Sequence, residues 1–176
     1  MRITGGSLRG RMVAVPPGII RPSMDKMRES VFACLGDIAG LSFLDIFSGS
    51  GIIALEAASR GAIDIEAVEQ DKQKRKILIE NVSISPCRIN CHFIPAEVYV
   101  KRAKKSFDII FLDPPYPYRF KWELTEKIAA SFLVKSETRI LIHRPREDNL
   151  KTEIPNLRKT DTREFGRSFV DFFVSI

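Results

Sequence analysis

The 176 residues are 44% hydrophobic and 28% charged, with a formal net charge of +6 at pH 7. This composition suits one ordinary soluble globular domain with a real core. Three cysteines make no disulfide framework, no apolar run reaches the length of a membrane span, and the basic balance favours anionic partners such as nucleic acid.

Residues 2–15 form a basic hairpin or arm, turned by Gly5 and Gly6 and ended by Pro16-Pro17-Gly18. With no apolar stretch behind it, this start is not a signal peptide, and the expected location is cytoplasmic. Ser23 is expected to cap a helix from Met24 to about Asp37, placing Met27, Val31, Leu35 and Ile38 near one face. Residues 42–47 are the first core strand, followed by a glycine-rich turn and a helix over 50–60 that Gly61 ends. Residues 63–68 are a second strand, 72–82 a charged amphipathic helix, and 90–94 a third strand with a short helix after it. Residues 107–112 are a buried strand, five of six apolar, and Pro114 and Pro115 then break the chain. A helix over 121–133 and a fifth strand over 139–143 follow. The tail, 157–176, supplies two strands around Gly166, with 168–176 inserted near a sheet edge. The expected architecture is α/β, with a seven-stranded, mostly parallel sheet and a terminal antiparallel pair. The division is an N-terminal arm, 1–22, and a domain, 23–176.

Two segments carry chemistry. Asp45 to Gly51 joins the first strand to a helix, and its glycines let backbone turn tightly against a ligand at the carboxyl edge of the sheet. Gly49, Gly51 and Ala54 also satisfy the relaxed dinucleotide fingerprint, and Glu69 stands where an acid can hold ribose hydroxyls in a nicotinamide or an adenosyl cofactor. Asp45 weighs toward the adenosyl cofactor. A carboxylate beside the turn repels a pyrophosphate, whereas it suits the ammonium and sulfonium of S-adenosylmethionine.

The second segment is Asp113-Pro114-Pro115-Tyr116 after the buried strand. Two prolines hold an extended backbone and offer no amide hydrogens, so the Asp113 carboxylate and the Pro114 carbonyl are acceptors for the two hydrogens of an exocyclic base amine. Acceptors so placed orient the nitrogen lone pair toward a methyl group by position and electrostatics alone. Tyr116 can stack on an extruded base.

These residues resemble a known family. Asp45 to Gly51, with Phe47, Ser48, Gly49 and Ser50, is similar to the cofactor loop of class I methyltransferases. Asp113 to Tyr116 is similar to the [D/N/S]-P-P-[Y/F/W] motif of their amino-methylating subset. Arg2-Ile3, Gly5-Gly6, Arg9-Gly10-Arg11, Arg21-Pro22-Ser23, Asp25, Arg28-Glu29 and Phe32 resemble the bacterial small-subunit ribosomal RNA guanine-N2 methyltransferases of the RsmD type. The resemblance covers nearly the whole chain. It implies a Rossmann-like class I fold, S-adenosylmethionine as cofactor and a guanine N2 in small-subunit ribosomal RNA as target. By position it implies that Asp45, Gly49 and Gly51 line the methionine end, Glu69 holds the ribose and Ala96 and Glu97 meet the adenine. Glu97 departs from the usual aspartate and Ser23 from the usual threonine.

Arg2, Arg9, Arg11, Arg21 and Arg28 suit RNA phosphates, and Arg9 and Arg11 sit on an arm able to reach beyond the domain. The 101–105 basic run is expected as a solvated helix face. His92 and His143 are expected to be structural, without a placed partner. Cys87, Cys91 and His92 lack a fourth ligand, and no metal is expected. The chain is expected to be monomeric. The alternatives are a DNA adenine-N6 methyltransferase, for whose target-recognition region 176 residues leave little room, a nicotinamide-dependent oxidoreductase and a non-catalytic RNA-binding module. The last two leave Asp113 to Tyr116 without a purpose.

Overall fold

The fold is that of a computed structural model describing residues 1–16, 25–148 and 153–176. Helix α1, Asp25–Leu35, precedes strand β1, Ser42–Ile46, and helix α2, Ile52–Ser59. Strand β2, Ile63–Val68, is followed by a 3-10 turn, Lys72–Lys74, and helix α3, Arg75–Val82. Strand β3, Ile89–His92, helix α4, Ala96–Arg102, and strand β4, Phe107–Leu112, come next. Helix α5, Lys121–Ala129, then leads into strands β5, Val134–Pro145, β6, Leu157–Phe165, and β7, Ser168–Ser175.

The sheet has seven strands in the order β3-β2-β1-β4-β5-β7-β6. The first five are parallel neighbours, and β7 lies antiparallel between β5 and β6. The expected parallel sheet with a terminal antiparallel pair is therefore what the chain forms, including the inserted last strand. The order reverses at β1, with β2 on one side and β4 on the other, which opens a crevice at the carboxyl ends of those strands. β1 and β4 are covered on both faces, and in β4 this gives a nearly continuous apolar run. One core cluster packs Phe43, Ile65, Ile109 and Phe172 beneath α1 and α2. The other packs Leu44, Ile110, Ile142 and Phe173 beneath α4 and α5.

Differences from the expected elements are local. β5 begins at Val134, earlier than expected, because its polar start pairs Val134 with Phe107 before a register shift brings Arg139 beside Ile109. Helix α4 stops at Arg102, so the 101–105 run is not one solvated face. Lys105 lies beyond it and reaches Asp64 at 2.6 Å and Glu66 at 2.5 Å on β2. Arg21, Ser23 and the expected helix start at Met24 lie outside the described residues, as do Pro17 and Gly18.

The N-terminal segment turns back on itself, with Arg2 bridged to Met12, and it seats on α2. Ile3 is fully buried, and Ser7 N donates to Ser59 O at 2.7 Å. The clasp is polar at its centre. Glu56 Oε1, fully buried on α2, accepts from Thr4 N at 2.7 Å, Thr4 Oγ1 at 2.8 Å and Arg28 Nε at 3.1 Å, while Arg60 meets its other oxygen. Arg28 is therefore corrected as an RNA contact. Its side chain is fully buried and also bonds Asp25 Oδ1 at 2.6 Å and the Arg2 carbonyl at 2.7 Å. The sequence sets an arginine at this position among exposed ones, but the helical phase of α1 turns it inward with Met27 and Val31. Glu56→Gln, which leaves the buried guanidinium short of one formal charge, is expected to lower stability by roughly 2 kcal/mol and the melting temperature by on the order of 5 °C. Thermal unfolding followed by circular dichroism reads this directly.

Candidate functional site

The site is built at the carboxyl ends of β1, β2 and β4. Leaving β1, Phe47 adopts φ 66°, Gly49 φ 58° and Gly51 φ 82°, a left-handed run that reverses the chain into α2 within a few residues. At Gly51 the left-handed φ disfavours any side chain, and a Cβ would press on Leu78 Cδ1 at 2.6 Å. Gly49 is different: a Cβ would meet nothing nearer than the Phe47 carbonyl at 3.9 Å, so its outer face is an open cradle. The turn is locked from beneath by Ser48 N to Val68 O at 2.9 Å and by Asn81 Nδ2 to Ser50 O at 2.8 Å.

Asp45 is the penultimate residue of β1 and is 1% exposed. Its Oδ2 accepts from Ser48 Oγ at 2.6 Å and Ala54 N at 3.2 Å, while Oδ1 is buried with no hydrogen-bond partner. Burial pushes its carboxyl up to about 7, and the negative charges of Asp113 and Glu69 add to the rise. Glu69, also buried, holds the turn: its Oε2 accepts from Gly49 N at 2.9 Å and its Oε1 from Asp71 N at 2.8 Å, with Lys74 Nζ 3.6 Å away. Asp113 leaves β4 with its amide on Ile46 O at 3.2 Å, which ties the proline loop to the end of β1. Pro114 is buried, Pro115 exposed and Tyr116 half-buried. Tyr118 N then donates to Pro115 O at 2.8 Å and closes the turn.

The structure thus brings together Asp45, Phe47, Ser48, Gly49, Ser50, Gly51, Glu69 and the loop Asp113 to Tyr116. Ala96 is buried at the start of α4 and Glu97 is exposed. Glu97 connects to the turn through Tyr118, whose hydroxyl donates to its Oε1 and whose ring packs 5.1 Å from that of Phe47. Arg2, Arg9 and Arg11 are exposed on the N-terminal segment. Its tip rests on the Ser59 end of α2, an eight-residue helix whose length of about 12 Å separates it from the glycine turn.

Two expectations are corrected here. His143 has a placed partner: its Nδ1 lies 2.7 Å from Asp113 Oδ1. No sequence signal links them, because they meet only once β4 and β5 pair. His92 also has one, with Nε2 2.9 Å from Glu66 Oε2 and its ring against Tyr99. Tyr118 and Asn81 are the other missed residues. Asn81 alone carried a signal, as an amide on the buried side of α3.

A carboxylate oxygen that is buried and without a donor costs free energy unless a ligand supplies one. The demand at Asp45 is for a hydrogen-bearing cation, and the turn that follows it leaves open space above Gly49. The ammonium of an amino-acid moiety fits this, whereas a carboxylate at Asp45 beside the turn repels a pyrophosphate. The residues therefore fit S-adenosylmethionine and not a nicotinamide dinucleotide.

A family model described as conserved hypothetical protein 95 matches residues 1–174. The chain belongs to that family. Among its relatives is the ribosomal RNA small subunit methyltransferase D of Escherichia coli, 36% identical over 121 residues, 66% of this chain and 60% of that protein. The chain thus spans less than two thirds of that relative's length. The protein of the same name in Haemophilus influenzae is 28% identical over 86% of this chain and 82% of its own. A solved hypothetical protein of Thermus thermophilus has a TM-score of 0.85 at 30% identity, covering 100% of this chain and 99% of that one. The fold of this family member is the Rossmann-like class I methyltransferase fold. Among the described residues no helix is long and apolar enough to cross a membrane, and no cluster of His, Cys, Asp or Glu could hold a metal ion.

Proposed function

We propose that this chain transfers a methyl group from S-adenosylmethionine to the exocyclic N2 amine of a guanine in small-subunit ribosomal RNA. One observation carries the reading: the buried, unpartnered Asp45 Oδ1 lies at the paired ends of β1 and β4, within electrostatic reach of Asp113. Asp45 takes the donor's ammonium, Gly49 and Gly51 let the backbone approach it, Glu69 meets the ribose, and Ala96 and Glu97 border the adenine. Once bound, the donor supplies a methyl on sulfonium, an electrophile that needs no metal. Asp113 and the Pro114 carbonyl accept the amine hydrogens and aim the lone pair, Pro115 keeps the loop extended, and Tyr116 stacks on the base. Asp113 is then the nearest acceptor for the proton the amine releases.

The names of the relatives support ribosomal RNA as the acceptor. Arg2, Arg9, Arg11 and Arg21 are assigned to its phosphates, on the 1–22 arm of the 23–176 domain. The working form is a cytoplasmic monomer acting on the RNA or on the assembling subunit. Labelled methyl transfer tests this, with unmodified small-subunit particles, naked ribosomal RNA and duplex DNA as acceptors. N2-methylguanine in the RNA is the expected product. Label in DNA adenine overturns the substrate and keeps the site; no label anywhere, with no binding of the donor, sinks the reading.

A further inference from the structure

The Asp113 carboxylate needs a donor to hold it, and the chain after it supplies none. A carboxylate at a strand end is ordinarily steadied by the amides of the next residues, but here these are Pro114 and Pro115, which have no N–H. Nearby Asp45 repels it when ionised. The donor comes from the next strand. β4 and β5 are parallel, with Leu112 beside Ile142, so Asp113, just past the end of β4, comes alongside His143 within β5. On its other flank His143 pairs in register with Val170 of β7. His143 is 8% exposed, and its backbone is held in β5 by the pairing with β7. Across the 2.7 Å contact an ionised carboxylate can only accept, so Nδ1 donates.

We propose that His143 is the positioning residue for Asp113. Its Nδ1–H holds Oδ1 and leaves Oδ2 to meet the amine hydrogen of the target base. This rests on the amine-methylation reading above. His143 touches neither the base nor the donor in this scheme; it acts by holding the angle of one carboxylate. Misplacing an acceptor by about 1 Å costs on the order of 10²-fold in rate.

Two amide substitutions test this with little change in polarity. Asparagine sets its NH2 near the place of Nδ1, and glutamine sets it near Nε2. His143→Asn is expected to keep kcat within about threefold, and His143→Gln to lose on the order of 10- to 100-fold in kcat with the KM for RNA and the donor affinity unchanged. In an Asp113→Asn background the His143→Gln loss is expected to vanish, since the residues act as a unit. Equal losses in both variants, or losses that add to that of Asp113→Asn, overturn the proposal. A second readout needs no activity. The 15N spectrum of the His143 ring is expected to show a proton on Nδ1 and to shift in Asp113→Asn; a bare Nδ1 overturns the contact itself. Failure of wild-type methyl transfer with that spectrum intact would fall on the proposed function and not on the pairing.

Discussion

Asp113→Asn is expected to slow methyl transfer on the order of 10²- to 10³-fold while leaving the affinity for S-adenosylmethionine within about twofold. The size follows from what the substitution leaves in place. The proline loop keeps its shape, because the Asp113 amide still bonds Ile46 O and Tyr118 N still bonds Pro115 O. The side-chain volume is unchanged. What is lost is a full negative charge beside an amine that turns cationic as it is methylated, and a place for its proton. That interaction exists only as the reaction proceeds, so the loss belongs in kcat and not in KM. Single-turnover rates on RNA, with donor binding measured separately, check the split. A variant of unchanged rate would remove Asp113 from the chemistry, and an equal fall in donor affinity would make it part of the cofactor pocket instead.

Asp45→Asn is expected to abolish most donor binding, on the order of 10²-fold, and at the same time to flatten the pH dependence of stability. In the folded chain this carboxyl is pushed up to about 7, chiefly by burial, against 3.8 for a free aspartate. Between those values the native state holds a proton that the unfolded state has released. Stability therefore falls as pH rises from about 4 to about 7, by roughly 4 kcal/mol in all, and is level above that. Asparagine has no proton to lose, so the slope over this window should shrink. Binding runs the opposite way. The donor's ammonium needs the ionised form, and its affinity should weaken by up to about tenfold per pH unit below about 7. Denaturant titrations across the window and calorimetry in two buffers, which reads the proton released on binding, measure both. A slope that persists in Asp45→Asn, or binding indifferent to pH, would contradict the account.

Periodicity and glycine placement carried most of the architecture. Runs such as Phe107 to Leu112 have no polar face and so announce a strand covered on both sides. Asp45 and Asp113 were legible because each stands immediately beside a feature that fixes a strand end, the glycine turn or the proline pair. His143 was illegible for the opposite reason. Its neighbours are apolar strand residues, and its meaning arises only from the parallel register that sets Ile142 beside Leu112. Arg28 was misjudged because charge was counted without helical phase: the same side chain at a neighbouring position of α1 would lie in solvent. Glu56, which buries that charge, looks in sequence like an ordinary helical glutamate, and only the return of the N-terminal segment encloses it.

The placement of β7 bears on how the protein is made. Among the described residues β6 has β7 as its only neighbour in the sheet, and β7 lies between it and β5. During synthesis β5 emerges first and finds its parallel partner β4, while β6 follows with nothing to pair with. Until residue 175 clears the ribosome, the outer edge of β5 exposes unpaired amides and carbonyls. His143 lies on that strand, so the residue that meets Asp113 keeps one open flank until β7 slides into place. A chain cut short before residue 168 would lose more than an edge: it would strand β6 and present β5 as a template for aggregation.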